Sequence, residues 1–149
     1  MANHLRRQIR EAVATLLTGL TTTGSRVYQS SVSNLKENQL PGLIIMTPEE
    51  DVEQADIGGL QQRTLNIEVI GKAKAVADVD DTLDGIAKEV EIAINASTTA
   101  NTLNGLVSGI QLYSTKISIS DETDRKVGEI RMSFTALYFN QAATPDVSA

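Results

Sequence analysis

An acidic segment in the second half of the chain carries side chains of the type that bind calcium. Four of its residues occupy positions one, five, six and twelve of a calcium-binding loop: Asp80, Asp84, Gly85 and Glu91. Thr82 stands where a carboxylate or amide is usual, and Lys88 stands where a water-mediated ligand is usual. An apolar stripe also runs through the segment from Val79 to Ile94, which predicts a regular helix. Because a regular helix cannot wrap oxygen ligands around an ion, we predict no calcium site here.

A second group of acids, Glu49, Glu50, Asp51 and Glu53, has the composition of a divalent-cation site. The chain has no cysteine and a single histidine, His4, and no second acidic cluster is marked to converge on the first. A solvated run of charges is therefore the favoured interpretation. The sequence also lacks the motifs of serine hydrolases, phosphate-binding loops, dinucleotide-binding folds and zinc proteases. We predict a protein that is not an enzyme, with no catalytic residue, no cofactor and no metal.

The composition is that of one globular domain. Of 149 residues, 41% are hydrophobic and 21% are charged, which is within the range of folded proteins. The formal net charge of −6 provides no basic field for holding a polyanion. The three Tyr and two Phe residues do not alternate with Lys or Arg as a base-stacking surface requires. No apolar run approaches the roughly 18 residues that span a bilayer, so we expect a soluble protein that is assembled in a cytosol.

Apolar residues spaced three and four apart predict two helices. The first stripe is Leu5, Ile9, Val13, Leu16 and Leu20, and the second is Val79, Leu83, Ile86, Val90 and Ile94, with Asp78 as its N-cap. Apolar runs and alternating patterns predict strands in Val27–Val32, Leu43–Met46, Leu65–Val69, Val107–Ser120 and Ile130–Tyr138, with connectors at Gly71–Ala77 and Ser97–Thr102.

The order of these elements, α-β-β-β-α-β-β, predicts an α+β fold. Two helices packed on one face of a mostly antiparallel sheet, an α/β sandwich, would bury both helical stripes and the alternating strands together. Residues 1–139 are predicted to form a single domain. The last ten residues, 140–149, turn to Asn, Ala, Thr, Pro and Ser, and we expect a disordered tail there.

A polar ribbon, Thr47–Gln62, separates two of the predicted strands. Its tip is placed at Asp56–Gly59, because glycine accepts the positive φ that tight turns require. The ribbon is interpreted either as a plain exposed hairpin loop or as an arm laid against a neighbouring subunit. Structureless loops of this length are uncommon in compact domains, which favours the arm.

The order of several segments resembles a known family over roughly residues 3–140. The most diagnostic segments are LPGLIIM, RTLNIEVI and DDTLDGIAKEVEIAI, preceded by LRRQIREAVATLL and RVYQSSV and followed by GEIRMSFTALYF. Read in this order, they resemble the tail terminator proteins of long-tailed bacteriophages, the lambda-like minor tail protein family.

The resemblance implies a structural virion protein at the head-proximal end of the tail, assembled in the host cytoplasm. Proteins of that family form a six-membered ring on the last ring of tail-tube subunits, halt tube growth and provide the head–tail joining surface. The implied partners are further copies of the chain, the tail tube protein and a head completion or stopper protein, with DNA only as passing cargo. No catalytic residues carry over. A lumen lined with Asp and Glu would repel the passing DNA.

Contacts with other subunits are expected at the ribbon and at a charged turn, Asp121–Lys126. The candidate interface residues are Glu49, Glu50, Asp51, Glu53, Asp56, Gln61, Arg63, Asp121, Glu122, Asp124, Arg125 and Lys126. The alternatives are another head–tail connector component (head completion, stopper or tail tube protein), a small enzyme or ligand-binding module, and an unrelated α+β domain. A tube protein would form long filaments alone, whereas a terminator would stop at discrete rings.

Overall fold

The fold is seen in a computed structural model, which describes residues 3–29, 35–122 and 125–149. Its helices are α1 (Leu5–Leu16), α2 (Val79–Asn95) and α3 (Thr98–Asn101), and a 3-10 turn covers Glu37–Gln39. Its strands are β1 (Val27–Gln29), β2 (Gly42–Gln54), β3 (Leu60–Lys74), β4 (Gly109–Glu122) and β5 (Arg125–Gln141). The predicted α+β class and the order of the main elements are confirmed.

The strands form one five-stranded sheet in the order β1-β2-β3-β5-β4. Only the β1–β2 pair is parallel, and the other three pairs are antiparallel. Helices α1 and α2 pack on the same face of this sheet. Within the described parts of the chain, no helix is long and apolar enough to cross a membrane.

The main core lies between the two helices and the sheet. One stripe of α1 and one stripe of α2 meet the inward side chains of β2, β3 and β5, and the largest groups among them are almost inaccessible to solvent: Leu5, Ile9, Leu43, Ile45, Leu65, Ile67, Leu83, Ile86, Phe134 and Tyr138. These are the positions at which the helical and alternating patterns predict a buried side chain. We call the sheet surface that faces α1 and α2 the helix face, and the opposite surface the open face.

The polar ribbon is the outer half of the β2–β3 hairpin, and we call this half the arm (residues 47–62). Its two strands are paired as far as Gln54 and Gln61. The tip is closed by Asp56, whose Oδ1 accepts a hydrogen bond from the backbone N–H of Leu60 at 3.0 Å. Gly59 has a φ of 97°, which agrees with the glycine requirement predicted for the tip. A register shift between Met46 and Glu49 inserts one extra residue into β2.

Several predicted boundaries differ from the structure. The connector expected at Gly71–Ala77 continues β3 as far as Lys74. The loop expected at Ser97–Thr102 contains α3, where the hydroxyl of Ser97 accepts a hydrogen bond from the backbone N–H of Ala100. Asp78 is at the N-cap of α2, but its side chain makes no capping hydrogen bond. The strand predicted for Val27–Val32 is observed from Val27 to Gln29, and its remaining positions lie outside the described residues.

The chain after β5 returns to the domain. The backbone N–H of Leu5 donates to the carbonyl of Pro145 at 2.9 Å, and the N–H of Ala149 donates to the carbonyl of Phe139 at 2.9 Å. Asn140 and Ser148 also form an isolated β-bridge. The division into a domain of residues 1–139 and a disordered tail of residues 140–149 stays a prediction.

Candidate assembly interface on the arm

The acids of the arm are divided between the two faces of the sheet. Glu49, Asp51 and Glu53 pair across the hairpin with Asn66, Thr64 and Gln62, whose side chains lie on the open face. All three acids are exposed to solvent. We call them the acidic row. Because their side chains point the same way on one strand, they present a continuous negative surface to any partner on the open face.

Glu50 points the opposite way, into the domain, where its carboxylate is the centre of an ion-pair network. Its side chain is only 6% exposed. Oε1 accepts hydrogen bonds from Nη1 of Arg63 at 2.7 Å and from Nη1 of Arg6 at 2.9 Å. Oε2 accepts a hydrogen bond from the phenol of Tyr138. The network therefore joins β2 to β3, β5 and α1 beneath the arm.

Each of the three nitrogens of the Arg63 guanidinium donates a hydrogen bond. Besides the bond to Glu50, Nε donates to Oδ1 of Asn140 at 2.7 Å and Nη2 donates to Oε1 of Gln61 at 2.9 Å. Asn140 is itself fully buried and donates to the carbonyl of Gln141 at 2.8 Å. A buried ion pair is stable only when its remaining hydrogen-bonding groups are paired, and this one meets that condition.

The network sets the charge of its members. Burial raises the pKa of Glu50, but hydrogen bonds from Tyr138, Arg63 and Arg6 lower it further than burial raises it, so the pKa of this carboxyl lies below its ordinary value. Burial, followed by the hydrogen bond to Glu50, raises the pKa of Tyr138 well above its ordinary value. At neutral pH the carboxylate is thus charged and the phenol is protonated.

A comparison with known protein families establishes which family the chain belongs to. Residues 4–138 match the family model described as phage minor tail protein U. The chain belongs to this family. It is therefore a structural component of the phage tail and of the virion, and the resemblance of its segments to minor tail proteins is confirmed.

Two further comparisons accompany this family match. A solved structure of the virion of a native gene transfer agent particle matches with 18% identity and a TM-score of 0.49, and the match covers 92% of each chain. Among curated proteins, no sequence matches this minor tail protein significantly.

The predicted interface residues fall into three groups in the minor tail protein. Glu49, Asp51, Glu53, Asp56 and Lys126 are exposed, Gln61 is half-buried, and Glu50 and Arg63 are held inside the domain. Asp121 pairs with Lys126 and Glu122 pairs with Arg125 at the end of the β4–β5 hairpin, while Asp124 lies outside the described residues. Their contacts with other subunits stay a prediction.

The arm and the charged turn are not brought together in one copy. Leu60 at the arm pairs with Gln141, whereas Lys74 at the far end of β3 pairs with Val127. The two regions therefore lie at opposite ends of the sheet. Tyr138, Asn140 and Arg6 are members of the network that sequence reasoning did not select. The buried even-numbered residues of β5 run from Ile130 to Tyr138, and Asn140 is the next position of the same pattern. This pattern predicts that the side chain of Asn140 also points into the domain.

The surface away from the arm carries further concave sites. A cavity of about 360 Å³ on the open face is lined by hydroxyl, amide and apolar groups, among them Thr64, Asn101, Ser108, Gln111 and Thr135. In the part of the chain that the structure describes, no group of three or more His, Asp or Glu side chains is arranged to hold a metal ion. The geometry supports docking to other proteins, with the arm as its most prominent surface.

Proposed function

We propose that this minor tail protein is a tail terminator. Copies of it close into a six-membered ring on the last ring of tail-tube subunits, stop tube growth and present the surface that joins the filled head. Its partners are further copies of itself, the tail tube protein and a head completion or stopper protein. In this role the protein acts through its surfaces and carries out no reaction.

The observation that carries this proposal is the anchoring of the arm. A projecting hairpin can set the position of a neighbour only if its own base is fixed. Here the base is fixed by the buried Glu50–Arg63 pair, and the exposed side of the arm carries the acidic row. Ile57 at the tip is fully exposed, which provides an apolar contact beyond the polar strands.

A terminator also needs two different ends. Head-to-tail contacts between identical copies close into a ring when the rotation between neighbours divides a full turn, and a ring has two unlike faces. The arm tip and the β4–β5 hairpin end lie at opposite ends of the sheet. In our proposal one of these ends meets the tube and the other meets the head.

The acidic row suits a ring through which DNA passes. We place the open face toward the lumen, where Glu49, Asp51 and Glu53 repel the phosphate backbone and keep the DNA from binding. DNA is then only passing cargo. A microscopy map of the capped tail tests this placement, because acids on the outer wall of the ring would contradict it.

Electron microscopy of tails made with and without the protein tests the proposal directly. We expect overlong tubes when the gene is deleted and normal lengths when it is restored. Normal tail lengths in the deletion would contradict the terminator function. The purified protein separates the alternatives, since a tube protein forms filaments alone, whereas a terminator stops at discrete rings.

Charge reversal on the arm gives a more local test. The double variant Glu49→Lys, Asp51→Lys should fold with an unchanged melting temperature and fail to complete tails, because both side chains are exposed. Lys88→Glu is the matched control, since Lys88 is an exposed residue of α2 away from the arm. Full tail completion by the arm variant would contradict a role for the acidic row.

A further inference from the structure

The sheet has two edges without a partner strand, one on each side. On one side β4 is the last strand and pairs only with β5. On the other side β1 pairs only with Leu43, Ile44 and Ile45, so β2 from Met46 to Gln54 has no second partner among the described strands. Each edge presents a row of backbone N–H and C=O groups that can pair with another chain, apart from Pro48 on the arm edge, which has no N–H.

The β4 edge lacks the usual protection against pairing. Natural edge strands are commonly guarded by several charges or by proline. From Gly109 to Ser120, Lys116 is the one charged residue and there is no proline, and the other two charged residues of β4, Asp121 and Glu122, stand at its end. Beyond a register shift between Leu112 and Ser114, the pairing of β4 with β5 is regular to Glu122. The exposed isoleucines Ile117 and Ile119, 47% and 55% accessible, lie within this regular stretch.

The side chains of the two edges are complementary on both faces. Lys116 lies opposite Arg131 on the open face, where the other edge carries the acidic row. Ile117 lies opposite the buried Ile130 on the helix face. On that face the arm carries Val52, which is 47% exposed. If one sheet continued into the next, a positive charge would meet negative charges on one face and apolar groups would meet on the other.

The strand directions fix the sense of the pairing. Along the sheet, β2 and β5 run one way, and β3 and β4 run the other. A rotation about the ring axis keeps the sense in which each strand runs along that axis, so β4 of one copy and β2 of the next are antiparallel. The strands are inclined to the axis in this arrangement, because the two stretches that meet lie at different positions along the strands. Antiparallel pairing is also the more stable arrangement per residue.

We infer that the β4 edge of one copy pairs antiparallel with the arm edge of β2 in the next copy, so that the sheets of neighbouring subunits are continuous around the ring. The contact lies between the Ser114–Glu122 stretch of one copy and the Met46–Gln54 stretch of its neighbour, in a register that places Val52 opposite Thr115, Ile117 or Ile119 so that residues of the same face meet. This inference rests on the proposed ring and names the contact that closes it.

Disulfide cross-linking tests the contact, because the chain has no cysteine of its own. Val52→Cys is combined in turn with Thr115→Cys, Ile117→Cys and Ile119→Cys, which all lie on the helix face and cover three pairing registers. Directly opposite residues in an antiparallel pair have Cβ atoms about 4.5–5.5 Å apart, close to disulfide distance. Val52→Cys with Ser118→Cys is the matched control, since these side chains lie on opposite faces and Ser118 carries no charge that the contact uses.

We expect one of the three pairs to give a ladder of covalent multimers in capped tails, with at least about tenfold more linked subunits than the control. Lys116→Glu alone should weaken ring formation about tenfold, and adding Asp51→Lys should restore it. Rings that are seen by microscopy but linked by none of the three pairs overturn the inference and leave the terminator function standing. A control that links as efficiently as the best pair also overturns it. Unchanged tail length in the gene deletion refutes the function itself.

Discussion

The carboxylate of Glu50 and the guanidinium of Arg63 form a salt bridge of 2.7 Å beneath the arm, with both side chains at least nine-tenths buried. The two residues lie on neighbouring strands of one hairpin, and their partners come from α1 and from β5. The arm is thus anchored by charge at a depth where most domains use apolar packing.

Glu50→Ala should lower the free energy of unfolding by about 3–5 kcal/mol, because it leaves Arg63 as a buried charge without its main partner. Urea denaturation at neutral pH measures the loss. Glu53→Ala is the matched control on the exposed side of the same strand and should change the stability by less than about 0.5 kcal/mol. Equal effects of the two substitutions would show that the network does not stabilise the fold.

The stability should fall at acid pH through Glu50. Its pKa in the folded state lies below the ordinary value of 4.5, so its contribution is complete above that value and is lost as the pH falls through the folded pKa. Unfolding free energies of the wild type and Glu50→Gln, measured from neutral to acid pH, should converge at the acid end. A constant difference across this range would contradict the assignment.

Tyr138→Phe should lower the free energy of unfolding by about 1–2 kcal/mol at neutral pH, because Glu50 loses one hydrogen bond in a buried setting. At alkaline pH the unfolding free energies of the wild type and Tyr138→Phe should approach each other. The pKa of Tyr138 is raised above its ordinary 10.0 in the folded state, so its contribution is complete below that value and declines as the pH rises above it. Urea denaturation of both proteins at several alkaline pH values measures this effect. A constant difference in unfolding free energy across these pH values would contradict the prediction.

Gly128→Ala should destabilise the fold by about 1–3 kcal/mol through overpacking. A Cβ at this position would lie 2.5 Å from Cγ2 of Val79 and 3.3 Å from Cδ1 of Leu83, both on α2. Gly85→Ala is the control within α2, where a Cβ meets nothing within 4 Å, and it should stabilise the protein by about 0.5–1 kcal/mol. Thermal unfolding of both variants gives the comparison, and a neutral Gly128→Ala would mean that α2 shifts freely on the sheet.

Saturating divalent cations or nucleotides should leave the melting temperature unchanged within about 1 °C, because a ligand that binds the folded state raises it. Thermal-shift measurements with Ca²⁺, Mg²⁺ and ATP provide the check. A rise of several degrees with any of them would favour the small enzyme or ligand-binding module over a purely structural protein.

The spacing of apolar residues along the sequence was sufficient to predict the elements that bury one face, such as α2. The stripe from Val79 to Ile94 predicts α2 with its observed bounds, because helical spacing and a single buried face leave little choice. The short helix α3 has four polar or small residues and no buried face, so no periodicity marks it. The Ser97 cap is its one signal.

The buried network could be predicted only in part. Arg63 and Glu50 are visible in the sequence as charges on a polar ribbon, and charges are usually solvated. Their burial depends on Tyr138 and Asn140, which pair with Arg63 and Gln61 across β3 and β5 from positions more than 70 residues away. Pairing between such distant segments is a property of the folded sheet rather than of either segment alone.

The extra residue between Met46 and Glu49 changes which residue numbers of β2 face the helices. Before it, odd-numbered residues of β2 such as Leu43 and Ile45 point at the helices, and after it even-numbered residues such as Glu50 and Val52 do so. Because Met46 stays opposite Glu68 and Glu49 stays opposite Asn66 on either side of it, the extra residue bends β2 locally and leaves the pairing of both halves with β3 intact. One inserted amino acid thus marks the boundary between the apolar inner part of the strand, which packs against the helices, and the polar outer part, which we propose contacts the next subunit.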